Sequence, residues 1–125
     1  MARILVIDDE APIRENLVRF LILEGHAVLQ AADGYMGLEA IRTHKPDLIF
    51  CDVMMPRLDG FEVLEAAQSD SSLKGIPFIF LSASAEPEKL EAALQQGASG
   101  YVTKPFNLAH LRQLLDEQLA KPAVP

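Results

Sequence analysis

The sequence predicts a doubly wound α/β domain, in which a five-stranded parallel sheet is covered by helices on both faces. Five short apolar runs occur along the chain, three of them are continuous rather than alternating, and each is followed by a segment with helical periodicity. Because strand and helix alternate five times, the pattern favours parallel strands joined by right-handed crossovers. A chain of 125 residues is long enough for one such domain and too short for two of ordinary size.

The first strand candidate is residues 4–7, and the helix after it begins near Pro12, whose fixed φ suits an opening turn. Gly25 ends this helix. Its apolar face is formed by Ile13, Leu17, Phe20 and Leu21. The second strand candidate, residues 27–29, precedes a helix that runs from about Tyr35 through Leu38 and Ile41.

The third strand candidate is residues 48–51, where Cys51 is expected to be a reduced, buried thiol. The helix that follows Asp59 and Gly60 carries Phe61, Val63 and Leu64. The fourth candidate is residues 78–81, with a helix from near Pro87 to Gly97 whose apolar residues are Leu90 and Leu94. The fifth is residues 101–102, and the last helix carries Leu108, Leu111, Leu114, Leu115 and Leu119. We expect the domain to occupy residues 1–120 and residues 121–125 to be a tail or linker stub.

Composition and charge exclude several classes of protein. Half of the residues are hydrophobic and 23% are charged, which is typical of an ordinary globular domain. The first apolar run is too short for a secretory signal, and no run approaches the roughly 20 residues of a membrane span, so we expect a cytoplasmic protein without membrane contact. Eighteen acidic against eleven basic side chains give a net charge of −7, which argues against direct binding to nucleic acid.

Polar side chains occur where four of the predicted strands end. Asp8 and Asp9 follow the first strand, Asp52 ends the third, Ser82 the fourth and Lys104 the fifth. In open parallel sheets the functional crevice lies at these carboxyl ends, so we expect the side chains to converge. Three carboxylates in one small site repel one another unless a cation shares the space. Hard oxygen ligands without His or Cys favour Mg²⁺, and the sequence therefore predicts a magnesium site.

The same group of side chains suits phosphoryl transfer. An Asp carboxylate can form an aspartyl phosphate when the charge on the phosphoryl oxygens is neutralised. We expect Mg²⁺ to neutralise one oxygen, the ammonium of Lys104 a second, and the hydroxyl and backbone N–H groups near Ser82 and Ala83 a third. These roles predict that Asp52 accepts a phosphoryl group.

Each residue alone also has a structural interpretation. Asp8 and Asp9 could cap the following helix. Asp52 could be an ordinary polar strand end, and Ser82 could be a turn former. Lys104 could be a solvated surface charge, and Tyr101 a half-buried core residue. The combination of suitable residue types at four strand ends favours the functional interpretation.

The motifs that occur together are Asp8-Asp9-Glu10, Asp52-Val53-Met54-Met55-Pro56, Leu58-Asp59-Gly60, Leu81-Ser82-Ala83, Gly97-Ala98 and Lys104-Pro105-Phe106. With these motifs the chain, from Arg3 to about Leu119, resembles the receiver domains of bacterial response regulators. The resemblance implies a flavodoxin-like receiver fold with strand order 2-1-3-4-5 and a cis bond between Lys104 and Pro105.

The resemblance also implies roles for single residues. Asp52 would be the phosphoacceptor, Ser82 and Lys104 would contact the phosphoryl group, and Ser82 and Tyr101 would act as switch residues. The Mg²⁺ ligands would be Asp9, Asp52, the backbone carbonyl of Met54 and, through a water, Asp8. The phosphoryl donor would be a sensor histidine kinase or a histidine phosphotransfer protein. A downstream effector would bind the surface formed by the fourth helix, the fifth strand and the fifth helix.

Such a signalling domain catalyses only its own phosphorylation and dephosphorylation. Two other classes of protein are alternatives for this sequence, and each requires a feature that the sequence lacks. A phosphatase of the haloacid dehalogenase type needs a second Asp two residues after the nucleophile, where this chain has Met54. A flavodoxin-like FMN carrier needs a Ser/Thr/Gly-rich phosphate loop after the first strand, where Asp8, Asp9 and Glu10 would repel phosphate.

Overall fold

The computed structural model describes residues 2–83 and 87–119, except for the side chains at positions 87, 89 and 90. The tail expected at residues 121–125 lies outside the described residues. Strands and helices alternate in the expected order: β1 (Arg3–Ile7), α1 (Ala11–Leu23), β2 (Ala27–Ala31), α2 (Gly34–His44), β3 (Leu48–Asp52), α3 (Gly60–Gln68), β4 (Phe78–Ser82), α4 (Pro87–Gln96), β5 (Gly100–Thr103) and α5 (Leu108–Leu119).

The strands form one parallel sheet in the order β2-β1-β3-β4-β5. This arrangement confirms the doubly wound α/β prediction and the strand order that the resemblance implied. The peptide bond between Lys104 and Pro105 is cis, also as the resemblance implied. Within residues 2–83 and 87–119, every helix is too short or too polar to cross a membrane.

The sheet separates two hydrophobic layers. Ile4 and Val6 of β1 pack with residues of α1 and α5, whereas Leu5 and Ile7 pack with residues of α2, α3 and α4. Successive side chains of a strand point to opposite faces, so a strand covered on both faces must be apolar at every position. This two-sided burial explains why β1, β3 and β4 are continuous apolar runs. The expected thiol of Cys51 is free and buried in the second of these layers.

Two of the apolar positions in the last two helices are exposed rather than packed. Leu94 of α4 is 47% exposed, while its neighbour Ala93 is buried. Leu108, at the start of α5, is also exposed, and the buried residues of that helix are Leu111, Leu114 and Leu115. Adjacent residues of a helix point about 100° apart, so among the described side chains α4 buries Ala93 and turns Leu94 to solvent. The side chain of Leu90, also predicted on the apolar face, lies outside the described residues.

The loops after β2 and β3 each end in a residue that caps the following helix, Asp33 for α2 and Asp59 for α3. Asp33 accepts a hydrogen bond from the backbone N–H of Met36 at 2.8 Å and caps α2. Asp59 and Glu62 form a reciprocal capping box at the start of α3. Such caps satisfy backbone N–H groups that have no partner within the helix, and each typically stabilises a helix by about 1 kcal/mol.

Candidate functional site

The register of the sheet brings the four predicted strand ends together. Ile7 of β1 is paired with Cys51 of β3, so the residues that follow them, Asp8 and Asp52, lie side by side. Asp52 is in turn paired with Leu81 of β4, one residue before Ser82. The backbone N–H of Lys104 donates to the carbonyl of Ser82 at 2.8 Å, which places the end of β5 beside the end of β4.

Four carboxylates meet at this edge. Asp8, Asp9, Glu10 and Asp52 each contribute an oxygen, and these oxygens lie within 4.8 Å of one another. Asp8 and Asp52 are buried, whereas Asp9 and Glu10 are exposed. Local backbone groups orient the two buried acids: Asp8 Oδ1 accepts from the N–H of Glu10 at 2.9 Å, and Asp52 Oδ1 accepts from the N–H of Met54 at 3.4 Å.

The ammonium group of Lys104 lies among these acids. Its Nζ is 2.9 Å from Asp8 Oδ2, 3.2 Å from Glu10 Oε1 and 3.3 Å from Asp52 Oδ2, and the lysine side chain is only 8% exposed. Burial alone would lower the pKa of Lys104, but contact with Asp8 and the charge of Asp52 outweigh it and raise the pKa above its ordinary value. Lys104 therefore stays charged and partly neutralises the acid cluster.

One ammonium does not offset the burial of Asp52 and the charge of Asp8 beside it. Burial, followed by the charge of Asp8, raises the pKa of Asp52 from 3.8 to about 7, although Lys104 acts in the opposite direction. The four carboxylates of the site therefore carry more negative charge than the single ammonium of Lys104 balances. A carboxylate with a strongly raised pKa in a crevice between strand ends is a typical feature of a functional site.

The donor set suits a small divalent cation. Asp8 Oδ2 is fully buried, and its partner among the described residues is the ammonium of Lys104 at 2.9 Å. The four carboxylates supply hard oxygen atoms, which Mg²⁺ prefers, and two of them are open to solvent. The excess of negative charge over the single ammonium and this set of oxygen donors both fit the predicted metal.

The other predicted site residues differ in position and in exposure. Ser82 is buried at the end of β4. Tyr101 lies on β5 opposite Phe80 and is half-buried against the core, rather than projecting wholly into solvent. The side chain of Met54 is 72% exposed at the mouth of the site.

Two residues near the acids have no role in the prediction from sequence. Glu10 enters that prediction only as part of the acidic motif, yet its carboxylate accepts a hydrogen bond from Lys104. Arg14 of α1 donates from Nη1 to the backbone carbonyl of Asp8 at 2.8 Å and from Nε to Gln30 at 3.0 Å. The position of Arg14, one helical turn after the acids, is a signal that could have indicated its contact with this loop.

Comparisons with known proteins agree with this geometry. A family described as "Response regulator receiver domain" matches residues 4–116. The response regulator MprA of Mycobacterium sp. (strain KMS) is 41% identical over 109 residues, which are 87% of this chain and 46% of MprA. The chain therefore spans about half the length of the curated relatives that it matches.

Solved structures give the same result. The chemotaxis protein CheY4 of Vibrio cholerae has a TM-score of 0.88 and 35% identity, covering 94% of this chain and 98% of CheY4. The receiver domain of Francisella response regulator 1452 has a TM-score of 0.88 and 30% identity, covering 96% of this chain and 98% of that domain. From its family match, its relatives and its fold, this chain belongs to the response regulator receiver domains, which are signalling domains of two-component systems.

Proposed function

We propose that this receiver domain accepts a phosphoryl group on Asp52 from a phosphohistidine donor, with Mg²⁺ as cofactor, and that the modification changes the surface formed by α4, β5 and α5. The observation that carries the proposal is the convergence of Asp8, Asp9 and Asp52 with Lys104 at adjoining strand ends. The donor would be a sensor histidine kinase or a histidine phosphotransfer protein, and the net charge of −7 favours protein partners over nucleic acid.

In the proposed reaction, a carboxylate oxygen of Asp52 attacks phosphorus, the P–N bond to the donor imidazole breaks, and the imidazole leaves with the electron pair. Lys104, 3.3 Å from Asp52 in the unmodified protein, is close enough to move onto a phosphoryl oxygen. Ser82 would donate its hydroxyl to a second oxygen. Both groups lie at strand ends that adjoin Asp52, so a short movement of each would bring it to a phosphoryl oxygen and stabilise the charge that develops there.

Asp9, Asp52 and the backbone carbonyl of Met54 would hold Mg²⁺, with Asp8 acting through a water. The ion, when bound, would supply positive charge for the phosphoryl oxygens. The chain itself then catalyses only its own phosphorylation and dephosphorylation. Met54, two residues after Asp52, carries no acid or base that could speed hydrolysis of the aspartyl phosphate.

The direct test is phosphorylation by a small phosphodonor in the presence of Mg²⁺. Intact-protein mass spectrometry should show one added phosphoryl group, which is lost after exposure to acid or base, and Asp52→Asn should abolish it. Asp116→Asn, an equivalent change at an exposed position of α5, serves as the control and should be phosphorylated like the parent. Full phosphorylation of Asp52→Asn would show that another residue is the acceptor.

The metal assignment is tested by thermal unfolding. A ligand that binds only the folded state stabilises it by mass action, so millimolar Mg²⁺ should raise the melting temperature of the parent. Asp9→Ala should remove most of this increase because it deletes a proposed ligand. An equal increase in the parent and in Asp9→Ala would exclude Asp9 as a ligand.

A further inference from the structure

Glu10 makes two contacts with the acid site and has no role in the proposed reaction. We propose that Glu10 is a positioning residue: it holds the ammonium of Lys104 at the mouth of the acid cluster when Mg²⁺ takes the place of that ammonium beside Asp8 and Asp52. The inference rests on the proposed function, because it concerns the same metal and the same lysine.

The two ends of Glu10 contact different parts of the site. Its backbone N–H donates to Asp8 Oδ1 at 2.9 Å, and its side-chain Oε1 accepts from Lys104 Nζ at 3.2 Å. Glu10 occupies the N-cap position of α1, but its side chain makes no capping hydrogen bond. The carboxylate is thus directed to Lys104, 94 residues away in the sequence, instead of to the helix that it precedes.

Exposure distinguishes Glu10 from the other acids that contact Lys104. The side chain of Glu10 is 55% exposed, whereas those of Asp8 and Asp52 are 0% and 6% exposed. Of the three, Glu10 is therefore the acid whose contact lies on the solvent side of the lysine. An ammonium that leaves the buried acids can keep this contact without crossing the site.

Competition between two cations explains why such a contact matters. Lys104 Nζ lies within 3.3 Å of both Asp8 and Asp52, so a divalent ion that approaches these acids meets a positive charge already in place. Moving the Lys104 ammonium away from the buried acids costs free energy in a partly buried site unless another anionic group pairs with it. Glu10 offers that partner, and it leaves the ammonium close to Asp52 for contact with the phosphoryl group.

A double-mutant cycle on Mg²⁺ affinity tests the proposal, with isothermal titration calorimetry as the measurement. Glu10→Ala should weaken Mg²⁺ binding about two- to fivefold, a range expected for loss of one partly exposed charge contact. Glu15→Ala, which removes an exposed acid elsewhere on α1, should change the affinity less than twofold. In a Lys104→Ala background, the Glu10→Ala effect should be clearly smaller than in the parent background, because the group that Glu10 holds is gone.

Two results would overturn the proposal. An effect of Glu10→Ala as large in the Lys104→Ala background as in the parent would mean that Glu10 acts on the metal directly. An effect no larger than that of Glu15→Ala in the parent background would mean that the contact has no influence on binding. If Glu10→Ala folds poorly, Glu10→Gln provides the same comparison, with the charge removed and the side-chain length kept.

Side-chain NMR of protein with isotope-labelled lysine gives a second measurement that does not depend on phosphorylation. The Lys104 signal, identified by its loss in Lys104→Ala, should move in metal-free Glu10→Ala and stay unchanged in Glu15→Ala. An unmoved signal in Glu10→Ala would contradict the contact. If the parent itself takes no phosphoryl group, the proposed function fails, while the calorimetry and NMR still decide the role of Glu10.

Discussion

Asp52 is the residue whose chemistry depends most on its surroundings. Its carboxylate is buried beside Asp8, and this environment raises its pKa to about 7 despite the ion pair with Lys104. Below pH about 7, the metal-free folded protein therefore favours the protonated form of Asp52. A cation at the site reverses this preference because it favours the ionised carboxylate.

The raised pKa predicts how the stability of the metal-free protein depends on pH. Below the ordinary pKa of 3.8, Asp52 is protonated in both the folded and the unfolded protein. Between about 4 and about 7 the folded protein keeps the proton and the unfolded chain loses it, so stability from this group falls as pH rises through that range. Asp52→Asn, a neutral isostere, should remove this decline and raise the free energy of unfolding at pH 8 by about 1–3 kcal/mol.

Thermal scans in a metal chelator at pH 5 and pH 8 measure this effect. The increase in melting temperature from Asp52→Asn should be larger at pH 8 than at pH 5. Asp116→Asn should give the same small change at both values, since Asp116 is exposed on α5. An increase for Asp52→Asn that is larger at pH 5 would contradict the raised pKa.

At the scale of secondary-structure elements, the start of α3 determines the position of the end of β3. The backbone N–H of Gly60 donates to the carbonyl of Val53 at 2.9 Å, and a Cβ added at Gly60 would lie 2.4 Å from the carbonyl oxygen of Asp52. Backbone atoms cannot move aside as a flexible side chain can. The helix therefore packs directly on the strand end that carries Asp52, and only glycine permits this approach.

Gly60→Ala should accordingly be destabilising, by about 1–3 kcal/mol, because the added methyl group must push α3 away from β3. Gly75→Ala is the matched control: the added Cβ meets nothing within 4 Å, and less chain entropy is lost on folding. We expect Gly75→Ala to be neutral or slightly stabilising in urea unfolding. Equal stability of the two variants would show that α3 adjusts without cost.

At the scale of the whole molecule, β4 and β5 connect the acid site to the surface of α4, β5 and α5. Ser82 is paired with Thr103, and Phe80 with Tyr101, so we expect a shift at the end of β4 to be transmitted to β5 through the sheet. Tyr101 is half-buried against the core layer that also contains Ala93 of α4. Inward movement of Ser82 toward a phosphoryl group would change the space available to this ring.

Ser82→Ala tests this route. The variant should still bind beryllofluoride with Mg²⁺, a mimic of the phosphoryl group, but should lose at least half of the amide NMR shift change along Gly100–Thr103. Ser71→Ala, at an exposed serine outside β4, should respond like the parent. Equal responses in the parent and in Ser82→Ala would exclude Ser82 as the connection.

The amino-acid sequence is sufficient to predict the order of the elements and the residue types at the strand ends. Both depend on local features: apolar runs with the period of a strand or a helix, and the polar residue at which each run stops. For the same reason the sequence alone assigns Asp8, Asp52, Ser82 and Lys104 to one edge of the sheet. The parallel direction of the strands then requires them to converge.

The contacts between these side chains and the buried faces of the helices depend, in contrast, on how the elements pack in three dimensions. The hydrogen bond from Lys104 to Glu10 joins residues 94 positions apart, so no local pattern indicates it. The exposure of Leu94 beside a buried Ala93 depends on how α4 is rotated against the sheet, which periodicity leaves open when apolar residues are adjacent. Contacts of this kind are fixed by packing between elements, because the position of each side chain depends on every neighbouring layer of the fold.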